Sequence, residues 1–168
     1  IGAPVMRICA SSFTFRLEPH RPQMEKLVPW LKEGARVAES YGIKMAAENH
    51  IDYTSDEWVE LLDRVDSPYM GLNLDTGNFV RLLDDPIDGA RKLADRVYAT
   101  HIKDLMPARG VNVGEWYFFS STPVGDGLVD NQQLAQILHD ANYQGFLAVE
   151  TDSLHPAYEN QEHWAVEK

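Results

Sequence analysis

The chain has 168 residues, enough for one domain of ordinary size with a real core and short for two. Its 15 Lys and Arg stand against 26 Asp and Glu, a net charge of −11 that opposes any grip on nucleic-acid phosphates, and 44% apolar residues exclude a mainly disordered chain. The single cysteine, Cys9, excludes an intrachain disulfide, and no apolar run of roughly 18 residues is present to cross a membrane, so the expected location is cytoplasmic.

In chain order, Val5 to Ala10 is an apolar run that reads as a buried strand, with Cys9 part of its core side. No Met opens the chain, and residues 159–168 read as a helix opening without a stop, so the single domain spanning residues 1–168 is expected to be cut at both ends. Met24, Leu27, Val28, Leu31, Ala35 and Ala38 recur at helical steps up to about Ser40, with Gly42 as the stop and Pro29 implying a kink or a restart. Ile43 to Glu48 is a strand. Thr54 to Glu57 is a capping box that opens a helix with Trp58, Leu61, Leu62 and Val65 on its buried face. Tyr69 to Asp75 is the next strand, and Asp85-Pro86 opens the next helix as N-cap and first helical residue. Arg96 to His101 is a strand. The stretch from Lys103 to Pro123 is long for a loop inside a domain, which predicts an active-site cover with room for a short hairpin. Gly125-Asp126-Gly127 turns the chain, Asp130 caps a helix through Leu134 and Leu138, and Gly145 to Glu150 is the last strand.

Strands alternating with helices define an α/β fold with a parallel sheet. The polar residues that end the strands, Glu48, Asp75, His101 and Glu150, lie 27, 26 and 49 residues apart. A repeat of about 25 to 30 residues suits a (β/α)8 barrel, the TIM-barrel fold, in which about six of eight units are visible and the first two are missing. An open doubly wound sheet fits the length as well. Its ligand site gathers at one switch point, however, whereas these residues end several different strands.

Two Glu, one Asp and one His at the carboxyl ends of parallel strands would meet over a barrel mouth. Any one of them alone is equally well explained as a cap for the helix that follows. As a set they terminate apolar strands, where carboxylates are costly unless paired or bound to metal. Three carboxylates and one imidazole suit one Mn²⁺ first, with Mg²⁺, Co²⁺ or Fe²⁺ as alternatives, better than a structural zinc.

The motifs Ala47-Glu48-Asn49-His50, Leu74-Asp75-Thr76-Gly77-Asn78, Thr100-His101-Ile102-Lys103-Asp104, Val124-Gly125-Asp126-Gly127 and Val149-Glu150-Thr151 together resemble the sugar phosphate isomerase/epimerase family, the xylose-isomerase-like barrels. The resemblance implies that Glu48, Asp75, His101 and Glu150 bind one divalent metal. It further implies that Glu48 and Glu150 pass a proton to and from the substrate carbon. Two positions depart from the epimerase pattern: Asn78 replaces a His that often follows Asp-Thr-Gly, and Pro107 stands where an Arg is usual, with Arg109 as a loose substitute.

His50, two residues beyond Glu48, is a candidate base near the metal, or else a solvated loop histidine. Lys103 is a candidate for holding a substrate oxygen and Asp104 for orienting a ligand from the second shell; a surface ion pair is the plainer reading of both. Trp116 leads an aromatic run that either walls a sugar pocket or packs the long segment onto the barrel. The leading expectation is a metal-dependent isomerase or epimerase acting on a small sugar or sugar-derived ketone through an enediolate. A lyase acting on a keto sugar or inosose would use the same metal. A non-catalytic sugar-binding subunit or inactive fragment is the reading outside catalysis. Self-association into a homo-oligomer stays open. An apurinic-site endonuclease would need a larger His-rich zinc cluster and a basic track, against the charge of this chain.

Overall fold

In the computed structural model, which describes residues 2–112 and 118–150, strands and helices alternate as the sequence predicts. Strands β1 (Val5–Cys9), β2 (Lys44–Glu48), β3 (Met70–Asp75) and β4 (Val97–His101) form a parallel sheet in the order β1-β2-β3-β4. Sequence neighbours are sheet neighbours throughout, so the order never reverses and has no switch point. That removes the doubly wound alternative and leaves the winding of a (β/α)8 barrel, of which the described residues form a part.

The crossovers are α1 (His20–Ser40), α2 (Ser55–Val65), the short α3 (Asn78–Arg81) and α4 (Pro86–Leu93). α2 starts at the expected capping box: Glu57 N donates to the Thr54 hydroxyl, and Thr54 N donates to the Glu57 carboxylate. Asp85 caps α4 by accepting from Ile87 N at 2.8 Å, with Pro86 behind it. Pro29 neither ends nor restarts α1. It lies on the exposed side of the helix, as does Glu25, so the carbonyl that loses its amide partner can turn to water.

The two faces of the sheet divide the labour. Met45, Ala47, Leu72 and Leu74 point outward into the core cluster with Met24, Trp58, Leu61 and Leu93 from the helices. The alternate positions, Ala46, Glu48, Asn73 and Asp75, are also buried but face away from that cluster, into the barrel interior. One irregularity decides what joins them. Leu72 pairs with Val97 but Asn73 pairs with Ala99, so Tyr98 is an extra residue in β4. Beyond this bulge Asp75 is level with His101, where regular pairing would have set Thr100 beside it.

The segment after β4 contains the anticipated hairpin, β5 (Asp104–Pro107) against β6 (Phe119–Thr122), antiparallel from Asp104↔Thr122 to Pro107↔Phe119. α5 (Asn131–Asp140) follows, capped by Asp130 through Gln133 N at 2.9 Å. The expected last strand is reduced to one parallel bridge, Ile102↔Val149. Its ladder stays short because the Thr100 hydroxyl takes the neighbouring positions, donating to Phe146 O at 2.7 Å and accepting from Ala148 N at 3.3 Å. The helix expected over residues 159–168 lies outside the described residues. Among the described residues no helix is long and apolar enough to cross a membrane.

The bulge depends on Gly71, where a Cβ would lie 2.4 Å from Arg96 O and 2.5 Å from the Tyr98 ring. Gly71→Ala is therefore expected to lower stability by roughly 1–3 kcal/mol in urea titration, because backbone must move. An unchanged midpoint would show that the bulge accommodates a side chain and is not held by close packing.

Candidate metal centre

Glu48 ends β2, Asp75 ends β3, His101 ends β4, and Glu150 is tied to the next position by Ile102, whose N donates to Ala148 O at 2.7 Å and whose O accepts from Glu150 N at 3.0 Å. Each of the four offers one ligand atom, and these atoms all lie within 4.8 Å of one another. Opposite ligands of an ion with bonds of ~2.1 Å stand about 4.2 Å apart, so only a small contraction is needed to close on a divalent cation. Asp75 Oδ2, His101 Nδ1 and Glu150 Oε2 are buried and meet one another and Lys103 Nζ in ion-pair contacts, the contacts that a divalent ion would replace. The donor set, three carboxylates and an imidazole, fits a hard or borderline divalent ion.

The electrostatics point the same way. Burial pushes the Asp75 carboxyl up, against the pull of Lys103. Burial also raises Glu48, but His101 and Arg7 together hold its carboxyl below the usual range. His101 stands 3.0 Å from Glu150 Oε2 and 3.5 Å from Glu48 Oε1, and its contact with Glu48 raises the imidazole. Lys103, only 3% exposed at its side chain, places Nζ 2.9 Å from Asp75 Oδ2 and 3.0 Å from Glu150 Oε2. It is thus part of a buried ionic cluster rather than the plainer surface pair.

Two further polar side chains extend the sheet past the ends of its strands. Asn49 donates to Asp75 O at 2.9 Å and accepts from Asp75 N at 2.7 Å, joining the ends of β2 and β3. The Thr76 hydroxyl donates to Lys103 O at 2.6 Å and accepts from Lys103 N at 2.8 Å, joining β3 to the segment after β4. Asp75 Oδ1 accepts from Gly77 N and Asn78 N at the start of α3, which leaves Oδ2 for the centre. Asn49 and Thr76 carry no role in the sequence reading, although both stand inside its motifs.

The remaining predicted residues separate. Asp104 is buried and spends its carboxylate on four backbone amides, of Leu105, Gly125, Gly127 and Val129 at 2.9 to 3.0 Å. It holds the Gly125–Gly127 turn, and among the described residues neither the proposed ligand contact nor a surface ion pair is present. Asn78 is buried with both side-chain polar atoms unpartnered among the described residues. His50 is half-buried just past β2, outside the group of four, with no side-chain hydrogen bond among the described residues. Arg109 is exposed beyond β5 and has no ion pair among the described residues. Trp116 lies outside the described residues. Cys9 is exposed rather than core. One group escaped the sequence reading and one had no place in it. Asn73, level with Glu48 in the register, is buried with an Nδ2 unpartnered among the described residues, and Arg7, which the sequence allows at the mouth without placing it there, pairs from β1 through Nε and Nη2 with Glu48 Oε2. A lone polar residue in each of two apolar strands was the available signal.

A family model described as xylose isomerase-like TIM barrel matches residues 1–167, and the chain belongs to that family. An inosose dehydratase of Clostridium beijerinckii is 29% identical over 175 residues, covering 95% of this chain and 55% of the relative. A 3-oxo-isoapionate decarboxylase of Pectobacterium atrosepticum is 30% identical over 125 residues, covering 74% and 45%. The crystal structure of a xylose isomerase domain protein from Planctomyces limnophilus superposes with a TM-score of 0.75 at 24% identity, over 89% of this chain and 52% of that one, which supports the fold. The chain spans about half the length of the curated relatives it matches.

The turn from β2 into α2 borders the centre and is strained. Ile51, buried and β-branched, has φ +60°, a conformation that costs on the order of 1–3 kcal/mol. Asp52 braces it by accepting from Tyr53 N at 2.9 Å, while Arg16 donates to the Asp52 carbonyl at 3.2 Å and pairs with Glu57. Burial pushes the Asp52 carboxyl up to about 7, with nearby backbone amides opposing. Its folded value lies above the ordinary 3.8, so the folded state holds the extra proton between them. The stability this contributes is present at low pH and is lost as pH rises toward 7. The Tm of Asp52→Asn relative to wild type is therefore expected to move in favour of the variant between pH 5 and pH 8. A difference that does not vary with pH would mean that this carboxyl titrates normally.

Proposed function

We propose that the chain carries the active site of a divalent-metal-dependent lyase acting on a polyhydroxylated ketone in the cytoplasm, with residues 1–168 belonging to one barrel-type domain. The observation that carries this reading is the convergence of Glu48, Asp75, His101 and Glu150 within 4.8 Å at the ends of successive parallel strands. These four would hold the ion, Mn²⁺ or Mg²⁺ by donor type. When bound, such an ion polarises a carbonyl and makes the neighbouring carbon more acidic.

Elimination is favoured over epimerisation by an asymmetry between the two glutamates. An epimerase that works by proton relay needs a base on each face of the carbon. Here the Glu48 side chain is 1% exposed and clamped by Arg7, while the Glu150 side chain is 36% exposed and so more open to a substrate carbon. One base and one acid suffice for elimination. In this reading His50 or Glu150 takes the proton next to the carbonyl, and the β-carbon to oxygen bond breaks. Lys103 Nζ donates the proton with which the hydroxyl leaves as water. Asn73 through its Nδ2 and Asn78 through its amide, unpartnered among the described residues, would hold substrate hydroxyls, and Arg109 and Trp116 are further substrate-binding candidates. The dehydratase and decarboxylase among the relatives support a lyase.

The test gives the full chain Mn²⁺ or Mg²⁺ with an inosose, and separately with D-fructose, and weighs the products. A product lighter by one water supports elimination, whereas an isomer of unchanged mass would replace it with the isomerase reading. His50→Gln is expected to lower kcat about 10²–10⁴-fold with metal content intact, and a variant as fast as wild type would remove His50 from the reaction. Folded Glu48→Gln and Asp75→Asn are expected to lose the metal. If the folded wild type binds none, the lyase fails and a sugar-binding role takes its place.

A further inference from the structure

Arg7 is placed where its two hydrogen-bonding edges do different things. It lies on the interior face of β1, the side opposite Ile8, which packs on the core. Its Nε and one hydrogen of Nη2 converge on the single oxygen Glu48 Oε2, and Glu48 is its one hydrogen-bond and ion-pair partner among the described residues. A guanidinium has five N–H groups in a rigid fork, and this arrangement leaves the edge formed by Nη1 and the second Nη2 hydrogen uncommitted. Among the described residues the side chain is 45% exposed and no group occupies that edge, while its other edge is anchored to one of the four converging residues. The open edge is preset in the shape that takes a carboxylate with two parallel hydrogen bonds.

The local charge balance also asks for an anion. Among the described residues the centre gathers three carboxylates, Glu48, Asp75 and Glu150, and two permanent cations, Arg7 and Lys103. With a divalent ion at the centre, positive charge exceeds negative by one, and His101 as a neutral ligand does not change the count. The net charge of −11 belongs to the whole surface and is screened over about 8–10 Å, whereas these groups are in contact.

Resting on the reading above, we propose that the substrate is a polyhydroxylated keto acid whose carboxylate docks on the open edge of Arg7 while its ketone faces the four-residue centre. Arg7 is then a specificity-determining residue as well as the clamp on Glu48.

The test is calorimetric and requires no turnover. The full chain, loaded with Mg²⁺, is titrated with D-fructuronate and with D-fructose, the same ketose with and without a carboxylate at C6. Fructuronate is expected to bind about tenfold more tightly or better. Arg7→Gln should bring the two within about twofold of each other, and Arg7→Lys should keep part of the gap because charge survives while the fork is lost. Equal affinities in wild type, no binding of fructuronate, or a gap that persists in Arg7→Gln would each overturn the proposal. Mg²⁺ titrations of all three proteins keep the two readings apart. Metal binding without anion preference removes only the keto-acid substrate, whereas absence of metal binding by folded wild type removes the lyase reading as well.

Discussion

Three carboxylates packed around one point repel one another, and inside a protein that repulsion is not screened by water. The features of this chain that depart from a plain βα repeat lie where the repulsion is offset. Lys103 is buried between Asp75 and Glu150, and Arg7 leans from the neighbouring strand onto Glu48. His101 faces two of the carboxylates with its Nδ1. These counter-charges make the cluster tolerable, and a divalent ion would satisfy the same electron pairs more completely. The pairing of the cluster and its capacity to take an ion are thus two aspects of one electrostatic problem.

The geometry has to be rigid for that balance to hold, because ligand atoms that wander by an ångström no longer share an ion. Rigidity comes from the layer behind the ligands. Asn49 and Thr76 each make a reciprocal pair of hydrogen bonds that carries the sheet past its formal ends. Asp104 gathers the loop before α5 through three of its backbone amides. The Tyr98 bulge shifts the register so that an imidazole rather than a threonine hydroxyl stands level with Asp75. None of these residues belongs to the group of four, yet each determines where one of its members or its covering loops can be.

Much of the chain was legible before folding. Thr54 to Glu57 announced α2 and Asp85-Pro86 announced α4, because a cap is chemistry between residues two or three apart. The outward face of each helix followed from its apolar period. The four centre residues were legible as strand ends, and their motifs placed the chain in its family. Other features were misread or missed because their partners are remote. Asp104 read as a residue orienting a ligand or as half of a surface ion pair, until the amides of Gly125, Gly127 and Val129 closed around it. Cys9 looked like core, and Pro29 like a break. The strand expected at residues 145–150 had the right composition, but a threonine side chain took up part of its pairing.

What the sequence determined by itself is therefore the alternation of elements, their caps, their buried faces and the residue types at the strand ends, all of which rest on interactions within a turn or two of chain. The tertiary structure decided the rest. It turned His101 rather than Thr100 toward Asp75, sank Lys103 between two carboxylates, and brought Arg7 to Glu48 across 41 residues of sequence. Those outcomes depend on strand register and on desolvation. Both are set by which surfaces pack together, and neither leaves a periodic mark in the order of residues.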